Sequence, residues 1–415
     1  MRAEGEDLMT PEKARWLIAE ATEIAKVLRQ EQDESDARGY YSDAIHARLL
    51  AGGFYRILQP ALFGGLGTDC ETYIRVIMAL SQGHPGGGWC YTLASSHALV
   101  LASHFSEEVQ RKLFGSDGDF RAAYAAGPAG KPEFERTEGG YVVTGIWPFA
   151  SGIPVCNHFL GGAVIPGASN TARGMAFVVS KEQVTVLPDW GGDAAMGMQA
   201  SGSNTVRLNK VFVPDNQIVP NPIARLSTES LPDGTPGTSL HREGLFLGLI
   251  YSWFSCEFGA ILTGTARAAL EEYERQLRTK PSFGDPTRTR MYDSELQRVF
   301  GEALCRTDAA EALTLAATRL YIEQTDRWMK SRTPISTQDT TKVWGTAREA
   351  CRNACEAVEM LFHTVGASVA RRGEKLQRYF RDVQMYRIHI QSQAIMPVIR
   401  AHVQLGLPIP PPFQR

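Results

Sequence analysis

Gly140-Tyr141-Val142-Val143-Thr144-Gly145-Ile146-Trp147-Pro148-Phe149-Ala150-Ser151-Gly152 starts as a β-branched run and ends in a turn built from proline, serine and glycine. That is the pattern of a strand closed by a turn. Similar short runs cover residues 160–165, 175–179, 184–187 and 206–213, and Gly, Pro, Asn and Asp separate them. No helix of useful length fits between these runs. The middle of the chain therefore reads as a small antiparallel β domain, a sandwich or barrel, and not as a parallel Rossmann unit.

On both sides of this region the period changes. Upstream, Thr10-Pro11-Glu12 is a helix start, with a capping hydroxyl, proline at the first helical position and an early acid. From there Ala14, Leu17, Ile18, Ala21, Ile24, Ala25 and Leu28 fall on one helical face. Turn-rich breaks are expected at Pro60, Gly64, Gly65 and Gly67 and again over residues 83–88, before an apolar helix over residues 89–105. Downstream, a loop with Pro232, Gly234, Pro236 and Gly237 leads into a helical segment over residues 244–406, with long amphipathic stretches at 296–330 and 340–362. The fold class is mainly α with a central β domain: N-terminal helices over residues 1–118, β domain over 119–230, and a helical bundle over 231–415.

Composition narrows the function. The 415 residues are 43% hydrophobic and 21% charged with a net charge of −2, which gives no general attraction to nucleic acid or an anionic membrane. The acidic, polar N-terminus lacks a secretory h-region, and the apolar stretch over residues 244–258 is too short and too polar to span a bilayer. Seven cysteines with no CxxC read as reduced thiols of a cytoplasmic protein; Cys351, Cys355 and His363 lack an evident fourth ligand, so no metal site is expected. No phosphate-binding loop, zinc-protease motif, nucleophile elbow or strand-to-helix G-x-G-x-x-G is present. Three polar residues in apolar settings stand out: His97, with His104 seven residues on, His389, and Ser151. Taken alone, each histidine reads as a hydrogen-bonded, half-buried side chain and Ser151 as a turn hydroxyl.

Four motifs in order carry a resemblance. They are Gly88-Trp89 with His97 two turns later; Glu138-Gly139-Gly140-Tyr141 with Gly145-x-Trp147-x-Phe149-Ala150-Ser151-Gly152; Met198-x-x-Ser201-Gly202-Ser203-Asn204 running into Val211-Phe212-Val213-Pro214; and Leu376-Gln377-Arg378, Arg381-Asp382-Val383 and His389. The chain resembles the acyl-CoA dehydrogenase superfamily, and within it the flavin-dependent monooxygenases similar to the oxygenase component of 4-hydroxyphenylacetate hydroxylase and to steroid-phenol and dibenzothiophene monooxygenases. This implies an acyl-CoA-dehydrogenase-like fold with a C-terminal four-helix bundle. It also implies an oxygenase that takes reduced flavin (FMNH2 or FADH2) and O2 through a C4a-hydroperoxide to hydroxylate a small aromatic or phenolic substrate.

The resemblance places Ser151 near flavin N5, with Trp147 and Phe149 walling the ring and Ala150 where serine often stands. It assigns His97 and His389 to substrate deprotonation and the flavin side, in either order, since histidine titrates in the useful range. Gly366, in Val365-Gly366, and Arg278, before the loop Pro281-Ser282-Phe283-Gly284, match further flavin contacts. The resemblance also implies a separate NAD(P)H:flavin reductase and a homotetramer, with the helical bundle over 231–415 as its oligomerisation domain. The position of the dehydrogenase base is occupied by Ile390, and its alternative falls near Phe254, with Glu257 close by. An acyl-CoA dehydrogenase or oxidase using Glu257, an N- or S-oxygenase of the same fold, and a non-catalytic flavin scaffold are the competing readings.

Overall fold

The computed structural model describes residues 8–67, 69–115, 118–164, 174–389 and 395–410. Seven helices come first among them: α1 (Pro11–Gln30), α2 (Gln32–Arg38), α3 (Asp43–Gly52), α4 (Cys70–Gly83), α5 (Pro85–Ser96), α6 (Ala98–His104) and α7 (Glu107–Phe114). The start of α1 is as expected: Thr10 Oγ1 accepts from the Lys13 N–H at 3.1 Å, and Leu17, Ala21, Ile24, Ala25 and Leu28 are buried. The break over residues 83–88 is not a loop. His84 alone separates α4 from α5, and Gly86, Gly87 and Gly88 are helical. Their role is close approach, since a Cβ on Gly88 would lie 2.1 Å from Ser81 Oγ and one on Gly86 3.0 Å from the Ala200 nitrogen. The expected helix over 89–105 is two helices, interrupted at His97.

Eight strands follow: β1 (Ala122–Ala125), β2 (Glu133–Thr137), β3 (Gly140–Trp147), β4 (His158–Ala163), β5 (Met175–Ser180), β6 (Thr185–Val186), β7 (Val206–Pro214) and β8 (Ile218–Pro220). They form two four-stranded sheets, ordered β1-β4-β5-β8 and β2-β3-β7-β6. The expected antiparallel pairing holds except for β1 and β4, which run parallel with Ala122 opposite His158. Pattern reading missed β1 and β2 because one is alanine-rich and the other highly charged. Phe134, Trp147, Phe159 and Phe177 meet edge to face between the sheets, with Trp147 5.5 Å from Phe177.

The chain then returns to helices: α8 (Pro236–His241), α9 (Ile250–Thr279), α10 (Ser294–Ser331), α11 (Thr337–Thr364), α12 (Lys375–Arg387) and α13 (Ile395–Leu405). The first half of α9 is buried all round, its polar residues Ser252, Ser255 and Glu257 included, because α4, α5, α10, α11 and α12 pack around it. Helices α9–α12 make the four-helix bundle. One hydrophobic core runs from the N-terminal helices through the sheets into this bundle. Among the described residues no helix is long and apolar enough to cross a membrane. Cys351 and Cys355 are buried in α11 as free thiols.

Candidate active site

A cavity of about 550 Å³ opens where α5, the β layer, α9 and the end of α12 meet. Trp89, Leu93 and His97 line it at helical i, i+4, i+8 spacing along α5; Phe254 and Phe258 line it at i, i+4 spacing on α9. Tyr124 enters from β1, and Met385, Ile388 and His389 from the end of α12. Tyr251 adds to the α9 side, and most of the remaining wall is turn and loop, with Phe149, Ser151, Trp190, Met198, Ser203 and Ile223 among its residues.

His97 is almost wholly buried, and its Nδ1 lies 2.8 Å from the Ala122 carbonyl. A carbonyl only accepts, so Nδ1–H donates, and the neutral ring keeps its lone pair on Nε2. The bond also pins the junction of α5 and α6 to β1. The Phe254 ring stands edge-on to His97 at 5.3 Å. His389 lies just beyond the end of α12 rather than inside it, its ring 4.9 Å from Phe258 and 5.7 Å from Trp89. Burial pushes both imidazoles down to about 4. The expectation that they titrate near neutrality is thereby corrected: both rings are neutral at pH 7. His104, expected to face a similar way, instead bonds through Nε2 to the Gly248 carbonyl at 3.2 Å and does not line the cavity.

Ser151 heads a chain of hydroxyls. Its Oγ lies 2.7 Å from Ser203 Oγ, which lies 2.6 Å from Ser201 Oγ. Phe149 adopts a left-handed backbone (φ 60°), and its ring, 65% exposed, turns toward the cavity and meets Trp190 edge-on at 6.1 Å. Met198, also left-handed at φ 51°, is held by its N–H donating to Asp382 Oδ1 at 2.6 Å, and its carbonyl accepts from Trp190 Nε1 at 3.2 Å. An open aromatic surface edged by a polar hydroxyl chain suits a planar heterocycle with polar ring atoms, so these residues fit a flavin ring.

Not every expected residue reaches the cavity. Trp147 is turned between the sheets, donating Nε1–H to the Gly162 carbonyl at 3.0 Å, and Ala150 is buried with its N–H on the Asn204 carbonyl. Trp190, and not Trp147, lines the cavity beside Phe149. Gly366 packs elsewhere, beside Phe283, while Arg278 is exposed and paired with Glu274. Glu257 is buried beside Ser96 and Trp253, where burial holds its carboxyl well above the usual range; it is absent from the cavity lining, whereas Phe254 and Phe258 on the same helix are present. Trp89 and Phe254 were visible in the sequence motifs but not assigned to the site, and Leu93, Tyr124, Trp190 and Phe258 enter it only through the fold. The spacing of Trp89, Leu93 and His97 was the one available signal.

Comparison with known proteins agrees with this fold. Residues 256–394 match the acyl-CoA dehydrogenase C-terminal domain. The oxygenase subunit HsaA of a flavin-dependent monooxygenase from Rhodococcus jostii (strain RHA1) is 25% identical over 399 residues, covering 91% of this chain and 95% of that protein. The oxygenase component of an FADH(2)-dependent resorcinol hydroxylase from Rhizobium sp. (strain MTP-10005) is 29% identical over 55% of this chain and 54% of its own length. The solved structure of XiaF from Streptomyces sp., in complex with FADH2 and glycerol, superposes with a TM-score of 0.82 at 22% identity, covering 97% of this chain and 98% of that one. The fold is acyl-CoA-dehydrogenase-like.

Proposed function

We propose that this chain is the oxygenase component of a two-component flavin monooxygenase, which uses reduced flavin and O2 to hydroxylate a small aromatic or phenolic substrate. The observation that carries the reading is a single aromatic cavity holding His97 Nε2, His389 and the Ser151–Ser203–Ser201 hydroxyl chain, with Glu257 outside it. Its similarity to named oxygenase subunits supports the same reading. A dehydrogenase needs a carboxylate base facing the substrate, and none lines the cavity among the described residues.

When bound, reduced flavin supplies the electrons that activate oxygen. The protein's own part is to shield, orient and move protons. Trp190 and Phe149 would shield the bound flavin from water and Ser151 would offer it a hydroxyl, whose rotamer Ser203 and Ser201 fix. His97 is too weak a base to ionise a resting phenol. It serves by accepting the phenolic O–H at Nε2 and so orienting the ring. Once the ring carbon has bonded oxygen, that proton becomes strongly acidic, and an imidazole of depressed pKa suffices to take it. His389 lines the cavity next to exposed Ile388. There it limits water entry and holds the opposite end of the substrate.

With no dinucleotide-binding unit among the described residues, electrons come from a separate NAD(P)H:flavin reductase. We place the enzyme in the cytoplasm as a homotetramer, with Gly366 and Arg278 contributing flavin contacts away from the cavity, and either FMN or FAD as carrier. The test is rapid mixing of protein loaded anaerobically with reduced FMN or FADH2 against oxygenated buffer. A long delay before oxidised-flavin absorbance returns, with hydroxylated product when a phenol is present, is expected. Return at the rate of free flavin would overturn the proposal.

A further inference from the structure

We infer that the cavity selects an uncharged phenol, one that presents a hydroxyl to His97 Nε2 and carries no carboxylate, phosphate or ammonium group. This rests on the oxygenase reading above and narrows its substrate class. Among the described residues no Lys, Arg, Asp or Glu lines the cavity. Its two ionisable rings that could carry positive charge, His97 and His389, are kept neutral by burial. Most of its polar groups are already engaged. Tyr124 donates its hydroxyl to Asn221 Oδ1 at 3.1 Å, Tyr251 to Met396 Sδ at 3.1 Å, and Trp190 its Nε1–H to the Met198 carbonyl; the three serines bond one another. The deep acceptor that remains is His97 Nε2, set among Leu93, Tyr124 and Phe254.

The charge balance follows from this lining. A neutral phenol donates its O–H to His97 Nε2 and both groups stay neutral as it binds, so the cavity as a whole gains no charge. A substrate with a carboxylate would bring a net negative charge into an aromatic enclosure that offers it no counter-ion. A buried, unpaired charge of this kind weakens binding by roughly a hundredfold or more. An ammonium meets the same barrier, because no lining carboxylate receives it.

The experiment is equilibrium dialysis at pH 7 of the whole protein, with and without reduced flavin under anaerobic conditions, against matched probes. The pairs are a naphthol with the corresponding hydroxynaphthoate, and para-ethylphenol with para-hydroxyphenylacetate. The neutral member of each pair should bind at least about a hundredfold more tightly. The variant Ile223→Arg, which adds a cation to the lining, should shrink that gap by about tenfold while the naphthol still binds. Equal or tighter binding of the carboxylates by the unaltered protein would overturn the inference, as would a gap left unchanged in a variant that retains naphthol binding. Failure of the oxygenase reading has a different signature: flavin reoxidation at the free-flavin rate with every probe, whatever the binding ratio.

Discussion

At the scale of single residues, His97 and Ser151 do different work, and the difference can be measured. Replacing His97 by Ala removes the acceptor for the phenolic proton but leaves the Ser151–Ser203–Ser201 chain intact. Oxygen consumption should persist while hydroxylated product falls by roughly a hundred- to ten-thousandfold, the range for one positioned proton-transfer group. Ser151→Ala should do the converse, shortening the delay before oxidised flavin returns and releasing more hydrogen peroxide, with substrate affinity little changed. Stopped-flow absorbance combined with product and peroxide assays separates the two. The pH profile gives an independent check. Because burial lowers His97 to about 4, its working neutral form is fully present at pH 6 and above and is lost only as pH falls through that value. The acid limb of kcat/KM should therefore lie well below the 6.5 of an ordinary imidazole; a limb near 6.5 would mean the ring is hydrated or differently placed.

At the scale of elements, the cavity wall that carries Trp190, Met198 and Ser201 is held from behind by α12. The contact is Asp382 Oδ1 on the Met198 N–H, and a Cβ on Gly197 would lie 2.4 Å from the Arg381 carbonyl, so the loop sits directly on the helix. Burial, with Asp36 nearby, raises Asp382 above the ordinary carboxylate range, while His84 and Arg381 oppose that rise. Asp36 itself bonds Arg378, tying α2 to α12. Asp382→Ala should cost about 1–3 kcal/mol in a denaturant titration and increase hydrogen exchange in peptides covering residues 196–204. Asp382→Asn keeps an oxygen acceptor and sheds a buried charge, so it should restore exchange protection. If Asn and Ala behave alike, the Met198 bond does not anchor the wall. The Arg381-Asp382 pair was visible in the sequence, but its partner was not, because a left-handed Met198 leaves no pattern in composition. The same limit explains the other misses. Trp147 and Phe149 lie two apart, which strand period would put on one face; instead the strand ends at Trp147, which turns between the sheets, and a positive φ carries Phe149 to the cavity. Strands β3, β5 and β7 were legible as short β-branched runs bounded by turn residues, and in β7 apolar residues also alternate with polar ones. The glycines of α5 were misread as a turn because glycine marks close packing and reversal equally well.

At the scale of the whole molecule, the N-terminal helices, sheets and bundle share one core, so burial at the cavity belongs to a larger burial of imidazoles. The helix–sheet–helix order was legible because periodicity changes twice along the chain, but how the three parts close on one another was not. That closure depends on residues hundreds of positions apart, such as Arg378 with Asp36 or Met198 with Asp382. The same closure sets the acid stability. His46, His97, His158, His241 and His389 are all lowered to about 4 and His104 to about 3, each chiefly by burial. A group whose folded pKa lies below its unfolded value of about 6.5 binds its proton first in the unfolded chain. Stability from these six sites is thus fully present above pH 6.5 and is lost as pH falls from there toward 4. For a wholly buried ring such as His97 the slope is about 1.4 kcal/mol per pH unit; the more exposed rings contribute less, because solvent screens them. Asp382 and Glu257 work in the opposite sense, since burial raises both carboxyls and favours the protonated folded state. Two groups of that kind offset part, but not all, of six. The thermal midpoint should therefore fall steadily between pH 6.5 and 4.5, and His97→Gln should flatten that fall by about one proton's worth of slope while lowering product yield. A midpoint independent of pH across this window would mean that the buried rings are already charged and paired in the folded protein, and both the neutral-histidine chemistry and the selection of an uncharged substrate would lose their basis.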